Sequence, residues 1–213
     1  MPSWNIHLEA GERLAKKLKF SPQERKEFLL GCLLPDINNS YINQAKIVKP
    51  HRETHYAFDK KSSLNFYAEN RAKIEAKNPI FLGYLFHLFT DGYFNYDFYR
   101  NVKHHQEYQT LSHIDKRKIK HHDFWLYDTK YHHFIGIENQ AEAEKLAQIA
   151  NQVKAADITA SDLLEIEDIL KSDALGLSVQ DQNYLYYTEP ALDQLLDDMI
   201  QDFQKQYFGG KYA

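Results

Sequence analysis

His87 and Asp91 stand four residues apart in Phe81-Leu-Gly-Tyr-Leu-Phe-His87-Leu-Phe-Thr-Asp91, a stretch that is otherwise almost wholly apolar. A spacing of four puts two side chains on one face of a helix, one turn apart. A helix that is apolar all round is a buried one. A histidine and an aspartate inside it need each other, or an ion, to offset the cost of leaving water. Two readings follow: a hydrogen-bonded pair that stiffens a core, or two ligands of one cation. Three further residues bear on the choice. Asp36 ends the run Leu33-Leu34-Pro35, His55 closes His51-Arg-Glu-Thr-His55, and His7 lies beside the apolar face of the first segment. Each alone has a plain reading as a turn aspartate, a surface histidine or a boundary histidine. Together they are a histidine–carboxylate donor set, which suits zinc, manganese or iron, and a hydrolytic site would leave one position open for water.

The elements that must position these residues read as helices. Ile6, Ala10, Leu14 and Leu18 recur at helical spacing. Ser21-Pro22-Gln23-Glu24 has the form of an N-cap, a proline at the first helical position and a capping-box glutamate, opening a helix expected to run to about Leu34 and stop at Pro35. Residues 36–50 read as loop. Helices are expected near 61–77, from Asn78-Pro79 to about Asn101, over 121–134, 140–155 and 161–171, with 102–120 left ambiguous. A last amphipathic helix starts at Thr188-Glu189-Pro190, buries Leu192, Leu195, Leu196, Met199, Ile200 and Phe203, and ends at Gly209-Gly210. No alternating run with hairpin turns competes. The expected fold is all-α, a single-domain multi-helix bundle with a metal-binding core over residues 1–137 and an acidic helical region over 138–213 packed on it.

Composition narrows the function. The 213 residues hold one cysteine, Cys32, so neither an internal disulfide nor a thiolate cluster can form. No secretory leader and no apolar run of about 18 residues is visible, which points to a cytoplasmic protein with no membrane span. Net charge is −4, but Glu138 to Phe203 carries 15 acids against 3 bases, as expected of solvated helix faces. All 11 histidines fall between His7 and His133, so histidine chemistry belongs to the first part of the chain. The basic run Lys116-Arg-Lys-Ile-Lys120 reads as a solvated turn, and nucleic acid is not an expected partner of an acidic chain.

The ordered set His7, Gly31-Cys-Leu-Leu-Pro35-Asp36, Thr54-His55 and Gly83-Tyr-Leu-Phe-His87-Leu-Phe-Thr-Asp91 resembles the zinc-dependent phospholipase C family, relatives of the single-strand-specific zinc nucleases. The resemblance covers roughly the first hundred residues. It implies an all-helical hydrolase of phosphate esters, with one to three zinc ions and a small phosphate-containing substrate. It also implies His7, Asp36, His55, His87 and Asp91 as metal ligands, with Asp36 or Asp91 taking a proton from the attacking water. Lys49, Arg52 and Arg100 are available to contact a phosphate.

The family completes its cluster with two more histidines and a glutamate, the last pair four apart. No His-xxx-Glu follows Asp91 in this chain; His104-His105, His121-His122-Asp123 and His132-His133 stand there instead. Asp123, at the start of Asp123-Phe-Trp-Leu-Tyr, is the preferred extra ligand, and the histidine doublets read as surface residues. Two alternatives stay open: a helical HD-type phosphohydrolase built on His122-Asp123, and a metal-binding or structural helical protein without turnover. A homo-oligomer is compatible with all of these.

Overall fold

The computed structural model describes residues 3–38, 49–56, 61–102, 110–131, 133–172 and 183–209, with backbone alone for 97–102 and 113. Every regular element among them is helical, and no strand occurs. In chain order these are α1 (Trp4–Leu18), α2 (Pro22–Gly31), α3 (Leu34–Asp36), α4 (His51–Thr54), α5 (Ser62–Glu75), α6 (Pro79–Val102), α7 (His113–Asp128), α8 (Gln140–Ala150), α9 (Ala160–Lys171) and α10 (Glu189–Phe208). None is long and apolar enough to cross a membrane.

The apolar helix α6 is the axis of the molecule, packed most extensively against α2 and α5. Its crossing with α2 is made backbone to backbone at Gly31 and Gly83. A Cβ on Gly83 would lie 2.1 Å from the Phe28 carbonyl oxygen, and one on Gly31 2.4 Å from that of Ile80. Only glycine admits this approach, and it brings the end of α2 against the face of α6 that carries His87. α10 closes another side: Leu192, Leu195, Leu196, Met199, Ile200 and Phe203 are all buried, and the Phe203 ring meets Phe86 and Phe89 of α6 edge-on. The acidic region therefore packs against the helix that bears the candidate ligands.

Several boundaries differ from expectation, among them the end of α7, which stops at Asp128 and not near 134. α2 stops at Gly31, not near Leu34; after a turn at Cys32 and Leu33, Pro35 sits in the first turn of α3, where its missing N–H breaks no helical hydrogen bond. That break turns Asp36 inward. α7 begins at His113, eight residues before the expected start, because Ser112 caps it by accepting the Asp115 N–H at 3.1 Å. Asp123 is therefore inside a helix, not at its opening, and the basic run 116–120 is helical rather than a turn. α8 ends at Ala150, where Asn151 turns the chain. Gly209 adopts φ 61° as the C-terminal cap of α10; its expected companion Gly210 lies outside the described residues.

Candidate metal centre

Four elements deliver the five ligand candidates that the sequence places in the first hundred residues. α1 supplies His7, α3 supplies Asp36, the end of α4 supplies His55, and α6 supplies His87 and Asp91. All five are buried. His55 Nε2 lies 3.4 Å from Asp36 Oδ1 and 3.4 Å from Asp91 Oδ2. His87 Nε2 lies 3.4 Å from His55 Nε2, 3.6 Å from Asp91 Oδ2 and 4.0 Å from Asp36 Oδ1. These are five of the six edges of an irregular tetrahedron. Ligands about 2.0–2.1 Å from a tetrahedral zinc ion are separated by roughly 3.3–3.4 Å, which the shorter of these separations match; the residues form two overlapping triads able to hold an ion, His7–Asp36–His87 and His55–His87–Asp91. His7 adjoins it, with Nε2 3.4 Å from Asp91 Oδ1 and its ring stacked on His87 at 4.0 Å.

Hydrogen bonds outside the cluster decide which way the lone pairs point. His87 Nδ1 lies 2.7 Å from the Cys32 carbonyl oxygen, which only accepts, so Nδ1 carries the proton and Nε2 presents a lone pair inward. For His55, the Thr54 hydroxyl donates to the His51 carbonyl at 3.3 Å and so accepts from His55 Nδ1 at 2.8 Å. Tyr84 in turn donates its hydroxyl to the Thr54 carbonyl. His55 Nε2 then also faces inward. A carbonyl or hydroxyl fixing the far nitrogen of a ligating histidine is the usual outer support of a metal site. The core of the cluster is thus acceptor facing acceptor. Asp36 Oδ1, Asp91 Oδ1 and both His7 nitrogens are buried without a hydrogen-bond partner.

The electrostatics agree with that geometry. Burial, helped by His87, lowers the pKa of His7 to about 4 and keeps it neutral. Burial would also hold His55 neutral, but Asp36 and Asp91 override it and raise its pKa to about 9. In the metal-free protein a proton on His55 therefore stands where a cation would. Burial pushes the Asp36 and Asp91 carboxyls up, yet the neighbouring histidines win and hold both below the usual range, Asp91 well below. The Cys32 thiol is buried and pushed well above its ordinary value, which leaves it inert.

Asp123 is not brought to this centre. Its carboxylate, fully buried, accepts the backbone N–H groups of Leu185, Tyr186 and Tyr187 at 2.7, 2.6 and 2.6 Å, and His122 Nδ1 lies 3.2 Å away. It ties the chain before α10 to α7, and this use of Asp123 also disfavours the HD-type reading. Of the doublets, His121 lies beside Trp125 and His133 sits 2.5 Å from Glu9, whereas His104, His105 and His132 fall outside the described residues. Lys49 reaches the Ala156 carbonyl, Arg52 is exposed, and the Arg100 side chain is not among those described. Sequence reasoning missed His51, whose ring stacks on His55 at 3.7 Å; its spacing of four from His55 was the available signal.

An all-helical protein with a buried histidine–aspartate cluster in this order belongs to a recognisable class. The family model for zinc dependent phospholipase C matches residues 6–208, and the chain belongs to that family. The match extends the resemblance from the first hundred residues through α10. No curated protein and no solved structure matches the chain.

Proposed function

We propose that this protein is a metal-dependent hydrolase of phosphate esters. His7, Asp36, His55, His87 and Asp91 are the ligands, and zinc is the preferred ion, with manganese or iron compatible with the same donors. The observation that carries this reading is the set of inward lone pairs at 3.4–4.0 Å, with His55 and His87 fixed from outside through Nδ1. An ion would be held by His55, His87 and Asp91 or by His7, Asp36 and His87, the two triads that share His87. When bound, zinc lowers the pKa of a water and polarises a phosphoryl oxygen.

The chain's own groups supply the rest. Asp91 has the most exposed side chain of the five, at 11% against at most 3% for the others. Substrate therefore meets the centre on that side, and Asp91 takes the proton of the attacking water while Asp36 stays a ligand. The water oxygen bonds to phosphorus, the ester P–O bond breaks, and the alcohol leaves carrying the proton that Asp91 took from the water, which returns Asp91 to its carboxylate form. Hydrolysis of bis(p-nitrophenyl) phosphate and of phosphatidylcholine tests the reading. Turnover that a chelator removes, zinc restores and Asp91→Ala lacks supports it. Zinc-replete, folded protein inactive on both substrates speaks for metal binding without turnover.

A further inference from the structure

Lys120, the last residue of the basic run, behaves unlike the bases beside it. Arg117 and Lys118 are exposed on α7, whereas Lys120 is buried at 6%. Lysine ordinarily extends its ammonium to water along its own stem. Here the ammonium is drawn down to Asn95, donating to Oδ1 at 3.0 Å, with the Phe124 ring 5.9 Å away. Asn95 continues the series His87, Asp91, Asn95 at spacing four, so it lies one turn beyond Asp91 on the same face of α6. Burial lowers the Lys120 pKa from its ordinary value, and the Asp91 carboxylate acts in the opposite direction.

Lys120 is therefore anchored one turn of α6 beyond Asp91, the ligand with the most exposed side chain. Charge balance gives it a use. One divalent ion between the carboxylates of Asp36 and Asp91, with neutral histidines, carries no net charge. A phosphodiester brings one negative charge that the centre itself does not neutralise. On the hydrolase reading above, we infer that the Lys120 ammonium, held by Asn95, contacts a non-bridging oxygen of the substrate's phosphate group. Lys120 is then a substrate-binding residue on a helix that supplies no ligand. Of the bases that sequence alone offers for this role, Lys49 is turned to Ala156 and Arg52 to solvent.

The test uses zinc-loaded full-length protein and inorganic phosphate, titrated calorimetrically, with zinc affinity measured separately on each variant. Lys120→Met is expected to weaken phosphate binding about tenfold to a hundredfold, the worth of a hydrogen bond to a charged group. The same change removes a positive charge near the ion, so zinc should bind about two- to tenfold more tightly. Opposite shifts in the two affinities are what a purely structural lysine would not produce. Lys120→Arg should hold phosphate affinity within about threefold, and Asn95→Leu, which keeps the charge and removes its tether, should lose under about tenfold. If Lys120→Met does not fold, the Arg and Leu variants still decide, because equal phosphate affinity in wild type and Asn95→Leu with an altered Lys120→Arg contradicts the assignment. Unchanged phosphate binding in a folded Lys120→Met, or joint loss of zinc and phosphate, overturns the role of Lys120 alone. Wild-type protein that binds zinc and no phosphate overturns the hydrolase reading with it.

Discussion

A buried and a part-buried cluster of ionisable groups share helix α1 and differ in the partners their acceptors meet. His7 faces the metal centre. Two residues on, Glu9 faces the opposite way, into a network with Arg13, His133, Tyr127 and Asp193. There every acceptor meets a donor. Glu9 accepts from Arg13 Nε at 2.6 Å and pairs with His133 Nε2 at 2.5 Å, while Asp193 Oδ1 accepts from Arg13 at 2.5 Å and from Tyr127 at 2.6 Å. Asp123 and Glu167 are satisfied in the same manner by backbone N–H groups, the latter by Ile135 and Gly136 at 3.0–3.3 Å. In the centre, acceptors face acceptors. Ionisable residues in the interior do not by themselves mark a site; an excess of inward lone pairs does, because only a cation or a proton can resolve it.

The largest effect that separates the clusters concerns zinc. His87→Ala or Asp91→Ala should lower zinc affinity by more than the ~10–100-fold typical of losing an outer-shell partner, with the helical circular-dichroism signal kept. Arg13→Ala should do the reverse. It removes one of the two partners of Glu9 and the charged partner of Asp193, and destabilises the fold by about 1–3 kcal/mol in chemical denaturation, while the affinity for zinc holds. Zinc loss in a folded Arg13→Ala would show that the two clusters are one system.

The α2–α6 crossing sharpens the comparison, because it supports only one cluster. Gly83→Ala forces the helices apart at the point where Cys32 holds His87. A destabilisation of about 1–3 kcal/mol or more is expected, together with weaker zinc binding. Zinc affinity equal to wild type in that variant would mean that the Cys32 contact does not orient His87.

Acidity probes the same contrast. His55 has its folded pKa raised to about 9 from an ordinary value of about 6.5. Its contribution to the stability of the metal-free fold is therefore full below about pH 6.5 and lost as pH rises through about 9. Zinc must expel that proton, so its apparent affinity should rise close to tenfold per pH unit from 7 to about 9, then level off. A flat profile over that range in calorimetric titrations would exclude His55 as a ligand. The smallest effect is expected at Asp202→Asn, an exposed change on α10: stability within about 0.5 kcal/mol of wild type and zinc content unaltered.

The His87–Asp91 pair was legible because its signal is local, whereas His7, Asp36 and His55 were singled out only through the ordered family resemblance. The His87–Asp91 spacing needs only helical geometry, and the apolar run around it announces burial. What escaped the sequence depends on contacts between distant segments. Asp123 carries the same carboxylate as Asp91, yet its partners are backbone amides more than sixty residues later, which leave no trace in residue type. Lys120 reads as one base among four until the course of α7 turns it toward Asn95. The early start of α7 was readable from Ser112 and Asp115 as a capping pair, and the polar composition of the segment hid it. The C-terminal helix was placed correctly from its leucine stripe and its Thr188 and Gly209 ends, since amphipathicity and caps are again local.

The central claim, that the five side chains form a cation centre, is tested most directly by zinc titration of the metal-free full-length protein in two buffers of different ionisation enthalpy at pH 7.5. One to two zinc ions per chain are expected, with release of about one proton for the ion that displaces the His55 proton, and loss of that event in His87→Ala. Folded wild-type protein that takes up no zinc, or that binds it with the same affinity and proton release when His87 is alanine, contradicts it.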